Sequence, residues 1–307
     1  MRHRVPLPKQ LGRHFSVKQA AAAGIGRGRS DARDLARPFH GVRARKEPET
    51  FRDRVRSYAP RMRAGQRLVG CSAVRCWGLP YPTRWTSQEL LEVAAPQHAS
   101  PPRTKGVHGR HLAASRAETW KVGPVAVVDP ITAVFTCATA LTVTQAVVML
   151  DALLTDADNY PDLVENRPSQ TRGDIESRLR SWGRFRGSAT IREALGRARE
   201  KVESPKETET RLMIVDHGLP EPVVQHEEYD GTRLVARVDL AYPQWRIAIE
   251  YEGDGHRVDQ EQWRRDIRRQ RDLEDRGWIV IRLTQDDLRF PGDFLARIRG
   301  AIASRAV

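Results

Sequence analysis

Carboxylates set close together on apolar strands are the residues of this chain best suited to chemistry. In the stretch RVDLAYPQWRIAIEYEGDGH, Arg237 to His256, Asp239 closes a short apolar strand. A second strand, RIAIEYEG, carries Glu250 and Glu252. A strand turns successive side chains to opposite faces. Ile247, Ile249 and Tyr251 therefore share one face, and Ala248, Glu250 and Glu252 the other. Two carboxylates on one face of an otherwise apolar strand are costly unless a partner uses them. A hard divalent cation is the usual partner, because Mg²⁺ takes oxygen ligands from one or two carboxylates and keeps several waters. Mn²⁺ suits the same donors. That arrangement serves phosphodiester hydrolysis, in which a metal polarises the phosphate and activates water. An edge hairpin whose carboxylates simply face water is the alternative.

The flanking elements must position these acids. Residues 259–276 (DQEQWRRDIRRQRDLEDR) read as a helix. At 100° per residue, Trp263, Ile267, Gln270 and Leu273 form a buried stripe that includes Asp266. Arg264, Arg265, Arg268, Arg269 and Arg276 fall outside it, so the helix presents a row of arginines. Gly277 stops the helix, and WIVIRL reads as a buried strand. The order is strand, strand, helix, strand. A further helix, Glu207 to His217, precedes them. On its wheel Leu212, Met213 and Asp216 lie near Glu209, so Glu209 is expected to face the sheet. Glu207 lies nearly opposite and is expected to be a solvated acid near the helix start.

Together, ETRL at Glu209, VDL at Asp239, EYEG at Glu250, His256, DIRR at Asp266 and GWIVIRL resemble the Vsr-like branch of the PD-(D/E)XK nuclease superfamily, over residues 204–307. The resemblance implies a restriction-endonuclease-like α/β fold. It also implies Mg²⁺-dependent DNA cleavage in a repair, restriction or phage-defence setting. Asp239 and Glu250 would hold the metal, Glu209 would support them from its helix, and Glu252 would complete the shell. His256 would assist proton transfer near the scissile phosphate, and Arg264, Arg265 and Arg268 would meet the DNA backbone. The superfamily's usual lysine, two residues past the second acid, is Glu252 here, as the EYEG pattern of this branch leads one to expect. That position then supplies no cation to activate water or steady the leaving group. A nuclease fold retained without cleavage, in a non-enzymatic regulator, is therefore the alternative. His256 follows a Gly-Asp-Gly turn and could equally cap the next helix.

The chain has 307 residues, enough for two or three domains. From Glu203 onward there are 17 basic and 21 acidic residues, against 35 and 18 before it. A basic module joined to an acidic carboxylate site suggests that the first part holds a polyanion for the second. Arginine-rich composition throughout is the plainer explanation. Three cysteines, Cys71, Cys76 and Cys137, show no metal-ligand spacing, and their odd number argues against a disulfide framework. No signal peptide or membrane span is expected. A cytoplasmic protein with no membrane partner fits best.

Residues 1–60 hold 15 basic and 5 acidic residues. Ser16 reads as the N-cap of a helix with Val17, Ala20, Ala21 and Ala23 on its apolar face. Gly24 ends it, and a second helix is expected at residues 30–36. HGVRARK reads as the return strand of a wing, placing Arg43, Arg45 and Lys46 near a duplex backbone. Helix, turn, helix and basic hairpin outline a winged helix, and phosphate contact is the natural use of its charge. A helical cap packed on the next domain is the alternative. The outline LPKQLGRHFSVKQAAAAGI…GVRAR, with SAVRCWGLPYP, is similar to AbiEi-type antitoxins over residues 5–155. That resemblance implies DNA binding and repression. It leaves open a toxin or phage protein as a further partner.

The middle, residues 51–202, reads as α+β with little chemistry. Strands are expected at 68–70, 90–95 and 125–128, helices from Asp129-Pro130 and over 143–154, and a basic helical stretch over 178–201. The expected architecture is thus multidomain α/β and α+β: a winged helix in residues 1–50, an α+β domain with a helical linker in 51–202, and a Vsr-like nuclease domain in 203–307.

Overall fold

The computed structural model describes residues 6–156, 160, 164, 167–253 and 260–306, with the backbone alone for 260–264 and 266. The elements begin with β1 (His14–Ser16), α1 (Val17–Ala22), α2 (Arg27–Ser30), β2 (Val42–Ala44) and α3 (Phe51–Tyr58). Then come β3 (Arg67–Leu68), α4 (Gly70–Cys76), β4 (Leu91–Ala95), β5 (Val107–His111), β6 (Thr119–Val122), β7 (Val125–Val128) and α5 (Pro130–Cys137). Four helices follow: α6 (Val143–Leu154), α7 (Arg172–Trp182), α8 (Ser188–Arg197) and α9 (Pro205–Asp216). The chain closes with β8 (Val223–Asp230), β9 (Arg233–Tyr242), β10 (Ile247–Tyr251), α10 (Gln260–Glu274), β11 (Ile279–Leu283), α11 (Gln285–Arg289) and α12 (Gly292–Ala303). Two compact units result: residues 1–141 with 162–191, and residues 142–161 with 192–307. Among the described residues no helix is long and apolar enough to cross a membrane.

The first unit opens with β1 and β2 paired antiparallel, Phe15 opposite Arg43. Ser16 caps α1 in a capping box with Gln19, which satisfies two backbone donors that a helix start leaves open. A small core of Leu11, Phe15, Ala20, Ile25 and Leu35 holds these pieces together. The second helix is α2, earlier and shorter than the expected 30–36. Its last residue, Ser30, is buried. The Ser30 carbonyl accepts from Arg43 Nε, so the chain turns at Asp31 rather than continuing as helix. The rest of the unit is built on a five-stranded mixed sheet, order β5-β4-β3-β7-β6. Asp129 caps α5 by accepting from the Thr132 amide, with Pro130 in the first turn. Arg178 of α7 lies 3.0 Å from the same carboxylate. At Gly70 φ is +56°, and an added Cβ would meet the Glu92 and Arg110 side chains, so only glycine suits that start of α4. Cys71 and Cys137 are buried free thiols.

The second unit holds a four-stranded sheet, order β11-β10-β9-β8. Its pairs β8/β9 and β9/β10 are antiparallel, and β10/β11 is parallel. A parallel neighbour needs a crossover connection, and α10 lies in that connection. Leu240, Tyr242, Ile247, Ile249, Ile281 and Leu283 pack with Ile214 of α9 and with Phe294, Leu295 and Ile298 of α12. Val238, Ala241 and Ala248 pack with Leu273 of α10 and Trp278. The sheet is thus covered by helices on both faces. The expected order lacked one strand: β8, VVQHEEYD, lies at the sheet edge, where alternation of apolar residues is not required. The boundary expected at residue 202 also moves, because α6 packs with α9 in this unit.

Candidate metal centre

The strand registers build a transverse row of polar side chains. Leu240 pairs with Ile249 across β9 and β10, which sets Asp239 beside Glu250 on the next step of the ladder. Glu250 pairs directly with Arg282 of β11. On the other side, Val224 pairs with Leu240 and His226 with Val238, leaving Gln225 beside Asp239. All four strands therefore contribute to one line: Gln225, Asp239, Glu250 and Arg282. The Tyr251 amide donates to Asp239 Oδ2 at 3.4 Å, across the two strands that carry the acids.

Of the two acids on α9 it is Glu207 that is buried, and this corrects the expectation that Glu209 faces the sheet. Glu207 is buried. Its carboxylate accepts from the Glu203 amide at 3.0 Å and from Gln225 Nε2 at 2.9 Å. Glu209 instead sits at the surface, 2.6 Å from Lys206 Nζ on the same helix. The wheel failed because α9 is buried on more than its apolar side. Glu207, Thr208, Thr210, Arg211, Leu212 and Ile214 are all buried, and a polar residue held by partners does not register as core in a hydrophobic pattern. The spacing Glu207, Arg211, Ile214 was the available signal.

Burial pushes the Glu207 carboxyl up, with the nearby Glu203 charge adding to it. Burial, then the Glu207 and Glu250 charges, raise the Asp239 carboxyl to about 7. Crowded like charges favour the protonated acid, and a cation placed among them would relieve the crowding. Glu250 is buried and bounded by two arginines. Arg269 of α10 lies 3.0 Å from Oε1, and Arg282 Nε lies 4.0 Å from Oε2. Oε1 accepts no hydrogen bond of good geometry. Among the described residues no three His, Cys, Asp or Glu side chains converge closely enough to share one ion. Asp239 and Glu250, with Glu207 behind them, are the oxygen donors this row could offer a cation, and two carboxylates with water are a donor number that Mg²⁺ accepts.

The remaining expected residues fall as follows. Glu252 is exposed, and its amide donates to the Leu283 carbonyl at 2.8 Å. Arg265 and Arg268 are exposed on α10. His256 lies outside the described residues, as do the side chains of Arg264 and Asp266. Arg45 is exposed and donates to the Gly12 carbonyl at 3.0 Å. Arg43 does not reach outward as expected. It is buried, donates to the Ser30 and Val42 carbonyls, and pairs with Asp31. Its guanidinium closes the α2 turn, so it is not presented to a duplex.

A second buried set steadies α9. Arg211 and Asp151 of α6 are both fully buried, 3.1 Å apart. Asp151 also accepts from Thr208 Oγ1 at 2.8 Å and from the Arg199 amide at 2.7 Å. Arg211 reaches Glu221 at 2.8 Å. Burial pushes the Asp151 carboxyl up, opposed by the Arg211 charge. Asp151 sits inside an otherwise apolar helix, so the pattern of residues 143–154 does not mark it.

No family model matches the chain. Over 128 residues, 41% of this chain, it is 36% identical to two proteins of Mycobacterium tuberculosis, uncharacterized protein MT2308 (strain CDC 1551 / Oshkosh) and uncharacterized protein Rv2248 (strain ATCC 25618 / H37Rv). The match covers 47% of each, so this chain spans about half the length of the curated relatives it matches. It is also similar to the crystal structure of the RV2827C protein from Mycobacterium tuberculosis. There the TM-score is 0.34 and the identity 13%, covering 74% of this chain and 90% of that one.

Proposed function

We propose that the second unit is a Mg²⁺-dependent DNA endonuclease of the PD-(D/E)XK type, hydrolysing phosphodiester bonds. The observation that carries this reading is the juxtaposition of Asp239 and Glu250 on neighbouring strands, with buried Glu207 behind them. Asp239 and Glu250 would hold the cation, which when bound would polarise the phosphate and lower the pKa of water. The protein's own groups do the rest. Glu207, held by Gln225 and the Glu203 amide, keeps negative potential on Asp239. Arg269, 3.0 Å from Oε1, offsets the charge of Glu250. Arg265 and Arg268, exposed on α10, offer charge to the DNA backbone. In the first unit, the β1–β2 ribbon and α1–α2 turn serve in this reading as a winged-helix DNA contact, with exposed Arg45 and Lys46 in place of Arg43. Supercoiled plasmid with Mg²⁺ or Mn²⁺ tests the reading. Nicking by the wild type and not by D239N supports it; identical behaviour of the two sinks it.

A second reading rests on Glu252 and Arg269. An acid stands where the superfamily has its lysine, and an arginine already pairs with Glu250. A DNA-binding regulator or antitoxin with a degenerate nuclease fold would show both. Tight binding to its own upstream DNA, unaffected by D239A and with no nicking, would favour it.

A further inference from the structure

We propose that Arg282 is the phosphate-contacting cation of this site, taking the part of the lysine that Glu252 replaces, and that its ligand is a phosphodiester oxygen of the DNA backbone. The inference rests on the nuclease reading and deepens it. Arg282 stands on β11 directly across from Glu250, so the row that holds the two acids ends in a cation. It comes from a different strand than the position where the lysine is absent.

The hydrogen bonding separates Arg282 from its neighbour. Arg269 is engaged by the fold: it lies 3.0 Å from Glu250 Oε1 and donates to the Arg237 carbonyl at 3.4 Å. Arg282 Nε is buried without a hydrogen-bond partner, and the nearest carboxylate oxygen, Glu250 Oε2, stays 4.0 Å away. Were Arg282 there only to neutralise Glu250, a guanidinium donor would close to hydrogen-bond distance, because an unmade buried bond is costly. Instead Arg282 Nε is left without a hydrogen-bond partner, while Glu250 Oε1 is already met by Arg269 at 3.0 Å. The open donor calls for an anion. A phosphate oxygen brought to the guanidinium, on a side chain that is one third exposed, supplies it. The guanidinium stays charged at any working pH and presents N–H groups in a fork suited to phosphate. It therefore holds the phosphate and offsets charge that develops on it, and takes no proton from water.

The full-length protein tests this with a fluorescein-labelled duplex of about 30 base pairs, its binding followed by anisotropy in EDTA as salt rises. Each phosphate contact contributes about 0.9 to the slope of log K against log salt. R282Q, or R282M should the first not fold, is expected to lower that slope by about one contact, and R282K to keep it. In Mg²⁺, nicking of supercoiled plasmid is expected to fall about 100-fold in R282Q and to return in part in R282K. Where the wild type nicks, an unchanged slope in the neutral variants, or nicking that they leave intact, overturns the proposal while the nuclease reading stands. A lowered slope in a protein whose wild type never nicks retains the phosphate contact and overturns the nuclease reading instead.

Discussion

Asp239 is the residue on which the proposed chemistry turns, and D239N is expected to lower plasmid nicking at least about 100-fold. The helix acids make a sharper contrast. E207Q, which alters a buried group beside Asp239, is expected to cost about 10-fold or more in nicking. E209Q, which touches only a surface pair with Lys206, is expected to stay within about 2-fold. The reverse ranking would restore the assignment made from the helical wheel. Asp239 also sets a pH dependence. Its carboxyl is raised from 3.8 to about 7 in the fold, so its protonated form is favoured there. The stability this contributes is fully present below about pH 4 and is lost as pH rises through 7. Urea unfolding of metal-free protein is therefore expected to show wild type losing stability relative to D239N between those limits. Added Mg²⁺ should restore wild type most at the upper end, since it binds the ionised acid. Parallel pH curves for the two proteins would contradict this. Asp239 and Glu250 were legible in the sequence because acids interrupt apolar strands. Glu207 and Arg282 were not, since their significance depends on which neighbours cover them.

At the scale of elements, α9 brings Glu207 to the row of strand residues, and α6 holds α9. The Asp151–Arg211 pair is fully buried, and removing one partner leaves a charge without compensation. R211M is expected to destabilise the protein by about 3–5 kcal/mol in urea unfolding. D151L combined with R211M should recover most of that loss, because two apolar groups need no partner. A double variant as unstable as R211M would show that the pair does more than balance charge. Local signals placed some elements well, but α3, α4, α11 and α12, and strands β1, β5 and β6, carried no expectation. Capping groups and apolar runs marked α5 and α6 within a residue or so of their observed starts. The edge strand β8 escaped notice because an exposed edge tolerates VVQHEEYD, which lacks the alternation of a half-buried strand. The second helix was misplaced because Arg43, thirteen residues beyond Ser30, decides where the turn falls.

For the whole molecule, the composition of units matters more than sequence order. A fragment of residues 203–307 lacks Asp151 and the α6 face that covers α9, leaving Arg211 with Glu221 alone. It is expected to be insoluble or unfolded by circular dichroism, whereas a fragment of residues 142–307 should fold and melt cooperatively. Equal folding of both would return the boundary to residue 202. The amino-acid sequence by itself determined the charge asymmetry, most helices and strands, and the presence of two acids on neighbouring strands. These follow from local propensity and from periodicity, which act over a few residues. Only the tertiary structure decided that Glu207 rather than Glu209 is buried, that Arg43 is held inside the fold, that α6 joins the second unit, and that Arg282 stands across from Glu250. Each depends on burial and register between segments far apart in the chain, and burial alone turns a charged side chain from a solvated group into one that must have a partner.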